Sequence, residues 1–403
     1  MDFSARSAIL VTCSKGLSER LRDEVESLGM AVRDTHDTGV VTTGTVYDCL
    51  KLNLNLRTAF NVLWLIKDFK ARTPERLYNR AQTIDWETII PANAYFSVVS
   101  RIDTPNVNNS MFASVKVKDA IVDQFANRVG RRPDSGPERD RIVINLYWKD
   151  DHVWVYLNTS GRKLSDRGYR LMPHRAPMQE TLAAAVIQTT GYDGTQPFVS
   201  PMCGSGTLAI EAALMATHRA PGTLRDNFGF MHVVGFDRNR WTELREEAFR
   251  RVKNIAIRPA PIIATDIDPV AINAARHNAR DAGVDRLIDF RVCDFEKTPV
   301  PAPGESGGIV IINPEYGKRL GDVSALEKTY ERMGDFLKQK CNGYTGWVFT
   351  GNMELAKRIG LKASRRIPFW NAEIECRLLK YDLYEGSRRV AASTDAGTES
   401  EPA

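Results

Sequence analysis

The sequence predicts an α/β protein, with an α+β region in front and a mostly parallel, doubly wound sheet behind it. Three observations lead there. From Gln179 onward the order runs helix, strand, glycine loop, helix, strand, helix, strand, the succession of a parallel sheet covered by helices on both faces. Ahead of it the strand and helix signals are shorter and interleaved, and one pair of strands is joined by the turn Lys149-Asp150-Asp151. The 403 residues are 43% hydrophobic and 26% charged, an ordinary globular composition with material for about two or three domains.

In chain order, Ala8 to Thr12 is an apolar strand, and Leu17, Leu21, Val25 and Leu28 mark one face of a helix that Gly29 ends. The β-branched, glycine-punctuated run from Thr38 to Val46 suits a hairpin, and Asp48 to Ile66 a helix running into a strand. Ala94 to Ile102 alternates as a strand, and Ser110 to Asn127 is a long helix with Lys116 and Lys118 on its exposed side. The polar stretch from Arg131 to Arg139 is a loop, followed by strands at Arg141 to Trp148 and His152 to Asn158. Arg162 to Arg175 reads as a basic linker into the last unit, and the tail after Gly386 as disordered.

Several function classes are disfavoured. No apolar run reaches the ~18 residues of a membrane helix, and Met1 to Val11 lacks signal-peptide features, so a cytoplasmic protein without membrane contact is expected. The cysteines (Cys13, Cys49, Cys203, Cys293, Cys341, Cys376) include no C-x-x-C pair and the histidines no H-x-x-x-H spacing, so no metal is expected. The net charge of +5 is compatible with a polyanion, and basic residues cluster at Arg128, Arg131 and Arg132, from Arg162 through Lys163, Arg167, Arg170 and His174 to Arg175, and at Lys362, Arg365 and Arg366. Each cluster is equally compatible with ordinary solvated surface.

Pro201-Met202-Cys203-Gly204-Ser205-Gly206-Thr207 stands between the short apolar strand Phe198-Val199 and a helix from Thr207 to Met215. Glycines let the backbone approach a ligand closely, and a helix start offers free N–H donors. A lone G-x-G is weak evidence, and no G-x-x-x-x-G-K-[ST] accompanies it. The strand Ile262 to Thr265 then ends in Asp266-Ile267-Asp268-Pro269 before a helix; an acid there can accept both ribose hydroxyls. Asp266 lies 60 residues beyond Gly206, which requires an insertion, and Asp237 is its rival. Asp294, after Phe290-Arg291-Val292-Cys293, can accept from an adenine amino group or cap the turn that follows.

Gly308 to Ile312 is a buried-type strand stopped by Asn313-Pro314-Glu315-Tyr316-Gly317 at the carboxyl edge, where ligands sit in open α/β sheets. An exocyclic amine conjugated to a base is a poor nucleophile. Acceptors held against its N–H groups, here the Asn313 amide oxygen and the Pro314 carbonyl, free its lone pair, and positioning then supplies most of the catalysis. Tyr316 suits stacking on an extruded base. With the upstream elements, the segment reads as an S-adenosylmethionine-dependent amino-methyltransferase acting on nucleic acid, with Pro201, Cys203, Gly204, Gly206, Thr207, Asp266, Ile267 and Asp294 at the cofactor.

The chain resembles the bacterial 23S ribosomal RNA guanine-N2 methyltransferases that carry a THUMP domain. The resemblance is carried by Lys116-Val117-Lys118-Asp119-Ala120-Ile121-Val122-Asp123, Leu164-Ser165-Asp166-Arg167-Gly168-Tyr169-Arg170, Pro201 to Thr207 with Ala209-Ile210-Glu211-Ala212-Ala213, and Asn313 to Leu320. It implies a ferredoxin-like domain at 1–64, a THUMP RNA-binding domain at 65–165, a Rossmann-like methyltransferase domain at 166–386 and a disordered tail at 387–403. It implies a monomer acting on large-subunit ribosomal RNA, gripped through Lys116, Lys118, Arg131, Arg132, Arg167 and Arg170. In some relatives a second methyltransferase follows; this chain is expected to lack one. Two positions depart from the family pattern: Ser200 stands where Asp is usual, and Glu315 where a second Pro is usual. The first removes a carboxylate beneath the cofactor loop. The second offers a carboxylate to guanine N1–H and N2–H, unless it faces solvent or pairs with Lys318. A non-catalytic RNA-binding assembly factor and an adenine-N6 DNA methyltransferase are the alternatives.

Overall fold

The computed structural model describes residues 1–384 apart from 106, 108, 173–177, 254–258 and 317–322. His174, Arg175, Gly317, Lys318, Leu320 and the tail therefore lie outside the described residues.

The front of the chain runs β1 (Ser7–Cys13), α1 (Ser18–Ser27), β2 (Asp34–His36), β3 (Gly39–Gly44), α2 (Val46–Asn55), β4 (Ala59–Lys70), α3 (Pro74–Ala81), β5 (Tyr95–Asp103), α4 (Ser110–Val129), β6 (Asp134–Ser135), β7 (Ile142–Lys149) and β8 (His152–Asn158). Local chemistry sets these bounds. In β1 alternate residues Ile9, Val11 and Cys13 are buried. Helix α2 starts on a reciprocal cap between Thr45 and Asp48, and α4 ends on Gly130 in the left-handed region. The β7–β8 turn places Asp150 at φ 51°, as a short polar side chain tolerates.

All eight strands form one sheet in the order β2-β3-β1-β4-β8-β7-β5-β6. The division expected at 64/65 falls inside β4, which pairs with β1 along one edge and β8 along the other. No glycine or proline interrupts Ala59 to Lys70, so nothing in that stretch breaks the strand. Helix α3 was not anticipated.

The rear comprises α5 (Glu180–Thr190), β9 (Phe198–Pro201), α6 (Thr207–Ala216), α7 (Arg238–Lys253), β10 (Ile262–Asp266), α8 (Pro269–Asp281), β11 (Ile288–Val292), β12 (Gly308–Ile312), α9 (Val323–Lys340), β13 (Tyr344–Thr350), α10 (Met353–Lys357), β14 (Arg365–Asn371) and β15 (Ile374–Asp382). Its sheet order is β11-β10-β9-β12-β13-β15-β14, the first five strands parallel and β15 antiparallel to both β13 and β14. Strand order reverses between β9 and β12, so their carboxyl ends flank the crevice where ligands collect in such sheets.

The expected insertion between α6 and β10 fastens the two sheets together. Phe230 N–H donates to the Thr159 carbonyl and Val234 N–H to the Ile89 carbonyl. Gly229 presses so closely on β8 that a Cβ there would clash with the Asn158 carbonyl oxygen. Asp237 sits in this insertion and accepts from the N–H groups of Asn239 and Arg240 at the start of α7. That leaves Asp266 as the acid at the strand edge.

Two of the residues expected to contact RNA are held inside the basic linker. Arg167 is 1% exposed. It donates to the carbonyls of Leu164 and Arg57 and approaches Glu211 of α6 at 3.5 Å. Arg170 is paired with Glu180 and donates to the Met178 carbonyl. Arg167 is buried and Arg170 half-buried, and each is already committed to a carboxylate, so neither is free for a phosphate.

Candidate active site

The carboxyl ends of β9, β10 and β12 open onto a cavity of ≈ 610 Å³. Of the residues expected at a cofactor, Cys203, Gly204, Thr207, Asp266, Ile267 and Asp294 line it. Pro201 and Gly206 are buried behind the lining, at the end of β9 and the start of α6. All of Asn313, Pro314, Glu315 and Tyr316 reach the cavity from β12.

The loop is shaped by left-handed backbone at Met202 (φ 54°), Gly204 (φ 55°) and Gly206 (φ 84°). Gly206 is needed twice over, because a Cβ there would sit 2.9 Å from the Ala275 Cβ of α8. Asp266 holds the loop from the neighbouring strand: its Oδ2 accepts from Gly204 N–H at 2.9 Å and its Oδ1 from Asp268 N–H at 3.0 Å. Each carboxylate oxygen keeps a further lone pair for a hydroxyl. Ile267, 68% exposed, adds an apolar flank. Cys203 carries a thiol raised by burial and by the Asp266 charge, which keeps it neutral. Ser200 is buried one residue before the loop, its hydroxyl without a partner among the described residues.

Of the two roles weighed for it, Asp294 takes that of the cap. It lines the cavity, and it caps the following turn by accepting from Glu296 N–H at 3.0 Å. Its other oxygen accepts from Arg332 of α9 at 2.8 Å. Burial raises its pKa, but the Arg332 hydrogen bond and charge and the Glu296 N–H outweigh that and leave it below the ordinary carboxylate range.

Asn313 presents an unpartnered acceptor. Its side-chain Oδ1 is buried and has no hydrogen-bond partner among the described residues, although the residue lines the cavity. A buried acceptor left unmade costs about 1–3 kcal/mol, so such atoms in native proteins usually await a donor. Pro314 is buried; Glu315 is exposed and lines the cavity, and its carbonyl accepts from Tyr330 at 3.3 Å. Tyr316 is half-buried; its hydroxyl accepts from Asn371 Nδ2 at 2.9 Å, and its ring lies against Gly351. Burial raises that phenol, so it stays protonated.

Met178, Met202, Phe295, Arg332, Asn371 and Ile374 also line the cavity and were missed. Met202 stood inside the quoted loop and could have been named. Arg332 and Asn371 arrive from α9 and the end of β14, with no local signal.

The expected RNA-contacting residues divide. Lys116 and Lys118 are half-buried on α4, Lys116 lying 5.5 Å from the Phe112 ring centroid. Arg131 and Arg132 are exposed just beyond it, Arg132 pairing with Asp123 at 2.9 Å. No group of three or more His, Cys, Asp or Glu side chains placed to hold a metal occurs among the described residues, and no described helix is long and apolar enough to cross a membrane.

Comparison with known proteins places residues 167–380 in the family described as "RMKL-like, methyltransferase domain". Residues 8–63 match an "RlmL ferredoxin-like domain" and residues 71–158 a "THUMP domain". A ribosomal RNA large subunit methyltransferase K/L of Syntrophotalea carbinolica is 38% identical over 93% of this chain and 53% of its own length. The chain thus spans about half the length of the K/L relatives it matches. A Synechocystis protein provisionally named as an RNA methyltransferase is 35% identical over 95% of this chain and 100% of its own length. Among solved structures, SMU.472, provisionally titled a methyltransferase and complexed with SAH, superposes with a TM-score of 0.84 at 27% identity, covering 96% of this chain and 100% of that one.

Proposed function

We propose, on the premise that this chain belongs to the RMKL-like methyltransferase family, that it methylates the exocyclic N2 amine of a guanine in large-subunit ribosomal RNA, with S-adenosylmethionine as donor. The K/L relatives are named for ribosomal RNA, and the SMU.472 structure holds SAH in a closely similar fold. The glycine loop, the N-terminus of α6 and Asp266 form a cradle suited to the nucleoside, with Cys203, Thr207, Ile267 and Asp294 around it. When bound there, the cofactor supplies an electrophilic methyl group.

The observation that carries the proposal is the orphaned Asn313 Oδ1. It accepts one N–H of the amine, and the Pro314 carbonyl, on a chain direction that proline fixes, accepts the other. With its N–H groups so held, the amine nitrogen turns its lone pair to the incoming methyl group. Tyr316, kept neutral and braced by Asn371, offers a ring face to a base swung out of its stack. Lys116, Lys118, Arg131 and Arg132 contact phosphate. The division at 64/65 and 165/166, with a tail from 387, is likewise proposed, the first two units sharing one sheet.

Replacing Asn313 with Ala tests this. Methyl incorporation into ribosomal RNA falls by about 10²-fold or more, because the interaction lost acts on the reacting nitrogen. SAH affinity, measured by calorimetry, stays near that of the wild type. Full methylation by Asn313→Ala, or transfer to adenine or DNA instead of guanine, sinks the proposal. A wild-type protein that binds ribosomal RNA but not SAH identifies the non-catalytic assembly factor.

A further inference from the structure

The face of the front sheet turned away from α4 carries an unassigned aromatic surface. The Ser100 hydroxyl meets Ser114 of α4 at 2.8 Å, so Ser100 faces the helix and its strand neighbours Val99 and Arg101 face away. Register then places Asp68, Trp154, Tyr147 and Arg101 side by side across β4, β8, β7 and β5. The next row on the same face is Lys70, His152, Lys149 and Asp103.

Within these rows the Tyr147 and Trp154 rings stack with centroids 5.6 Å apart at 27°, and the His152 ring centroid lies 4.3 Å from that of Trp154. All three residues are half-buried. Toward the other end of the strands the same face is closed: Ser97, Val143 and Asn158 are buried, and Gly229 of the insertion presses on Asn158. The open end is therefore a bounded patch. Lys70, Arg101 and Lys149 rim it, exposed and without an ion pair among the described residues, while Asp68 is paired with His152 at 2.9 Å. Asp103 is the remaining carboxylate in the two rows.

We propose that this patch is a stacking platform for two or three unpaired nucleotides of RNA, on the sheet face opposite Lys116 and Lys118. Flat rings standing on adjacent strands present π-faces that bases stack on regardless of sequence. The surrounding cations meet the phosphates between those bases. A duplex keeps its base faces inside the stack, so the ligand is single-stranded. The choice of RNA rests on the function proposed above; the platform itself does not depend on methyl transfer.

The test is fluorescence anisotropy of the full chain with a labelled oligouridylate of about twelve nucleotides, within the range of single-strand site sizes. The double variant Tyr147→Val, Trp154→Val keeps β-branched residues on the strands and removes the π-faces. Its affinity falls about tenfold or more, as expected for two lost base contacts. Arg101→Gln weakens binding and makes its salt dependence shallower. SAH affinity reports that each variant is folded. Unchanged oligonucleotide affinity in a folded double variant overturns the inference, as does loss confined to Lys116→Gln, Lys118→Gln on the opposite face. Should the double variant misfold, unaltered affinity and salt dependence in Arg101→Gln overturn it. A wild type that binds through the platform but transfers no methyl group upholds this inference and removes the functional one.

Discussion

On the proposed function, Glu315 is the side chain of the cavity that reads the base. It stands two residues beyond Asn313, is exposed, and lines the same cavity. Guanine presents N1–H beside its amine, two donors in a row. Adenine and cytosine present a ring-nitrogen lone pair beside theirs, which a carboxylate repels. On the proposed function, Glu315→Gln lowers kcat/KM for guanine by about tenfold, within the 1–3 kcal/mol of a bidentate contact. It also raises the relative use of RNA carrying 2,6-diaminopurine, whose N1 can accept from the new amide. Unaltered preference between the two bases, read by mass spectrometry of the nucleosides, rejects a base-reading role. Asp294 sets a separate pH dependence. Its pKa is lowered on folding, so the stability it contributes is present above the unfolded value, near 3.8, and is lost as pH falls through its folded value. The Tm difference between wild type and Asp294→Asn is therefore largest near neutrality and shrinks in acid; a difference independent of pH contradicts the Arg332 pairing.

At the scale of elements, two glycines of one loop differ in what they tolerate. Both have positive φ, which costs an L side chain roughly 1–2 kcal/mol. Beyond that, a Cβ at Gly204 meets nothing within 4 Å, whereas one at Gly206 meets Ala275 at 2.9 Å. Gly206→Ala thus lowers Tm more than Gly204→Ala, since α6 and α8 must separate to accept it; equal losses in thermal denaturation would contradict that packing. This loop was legible in the sequence because strand, glycine pair and helix are contiguous, and Asp266 was legible from the helix that follows it. Arg332 and Asn371 were not, since α9 and β14 are brought to the cavity only by strand order. Arg167 and Arg170 were misread for a related reason. Inside a window of arginines and lysines they look like surface, and the partner that buries Arg167, Glu211, is supplied 44 residues later by the apolar helix α6. The single front sheet was also hidden, because the boundary was drawn through a strand whose two edges serve different neighbours.

Across the whole molecule, the front and rear sheets are joined by a buried polar cluster rather than by a linker. Arg57, just before β4, donates to the carbonyls of Leu214 in the last turn of α6 and of Arg219 beyond it. Glu24 of α1 accepts from Arg57 N–H, Thr58 and Gln188 of α5. Arg167 donates to the Arg57 carbonyl, and both Arg167 and Tyr169 approach Glu211. Helix α6 begins at the cofactor loop, so the cluster fixes the front sheet relative to the cavity through one rigid element. Its parts depend on one another. Removing Arg167 alone strands the buried Glu211 charge, a kind of change that costs about 3–5 kcal/mol. Removing both partners leaves no unpaired charge. Arg167→Met should therefore shift the urea midpoint strongly, the double variant Arg167→Met, Glu211→Leu should recover part of the loss, and the exposed Arg131→Ala should stay within about 0.5 kcal/mol of wild type. Additive effects in that double-mutant cycle would mean that the two side chains are not coupled. A loss of RNA affinity in Arg167→Met at unchanged stability would return that arginine to the surface.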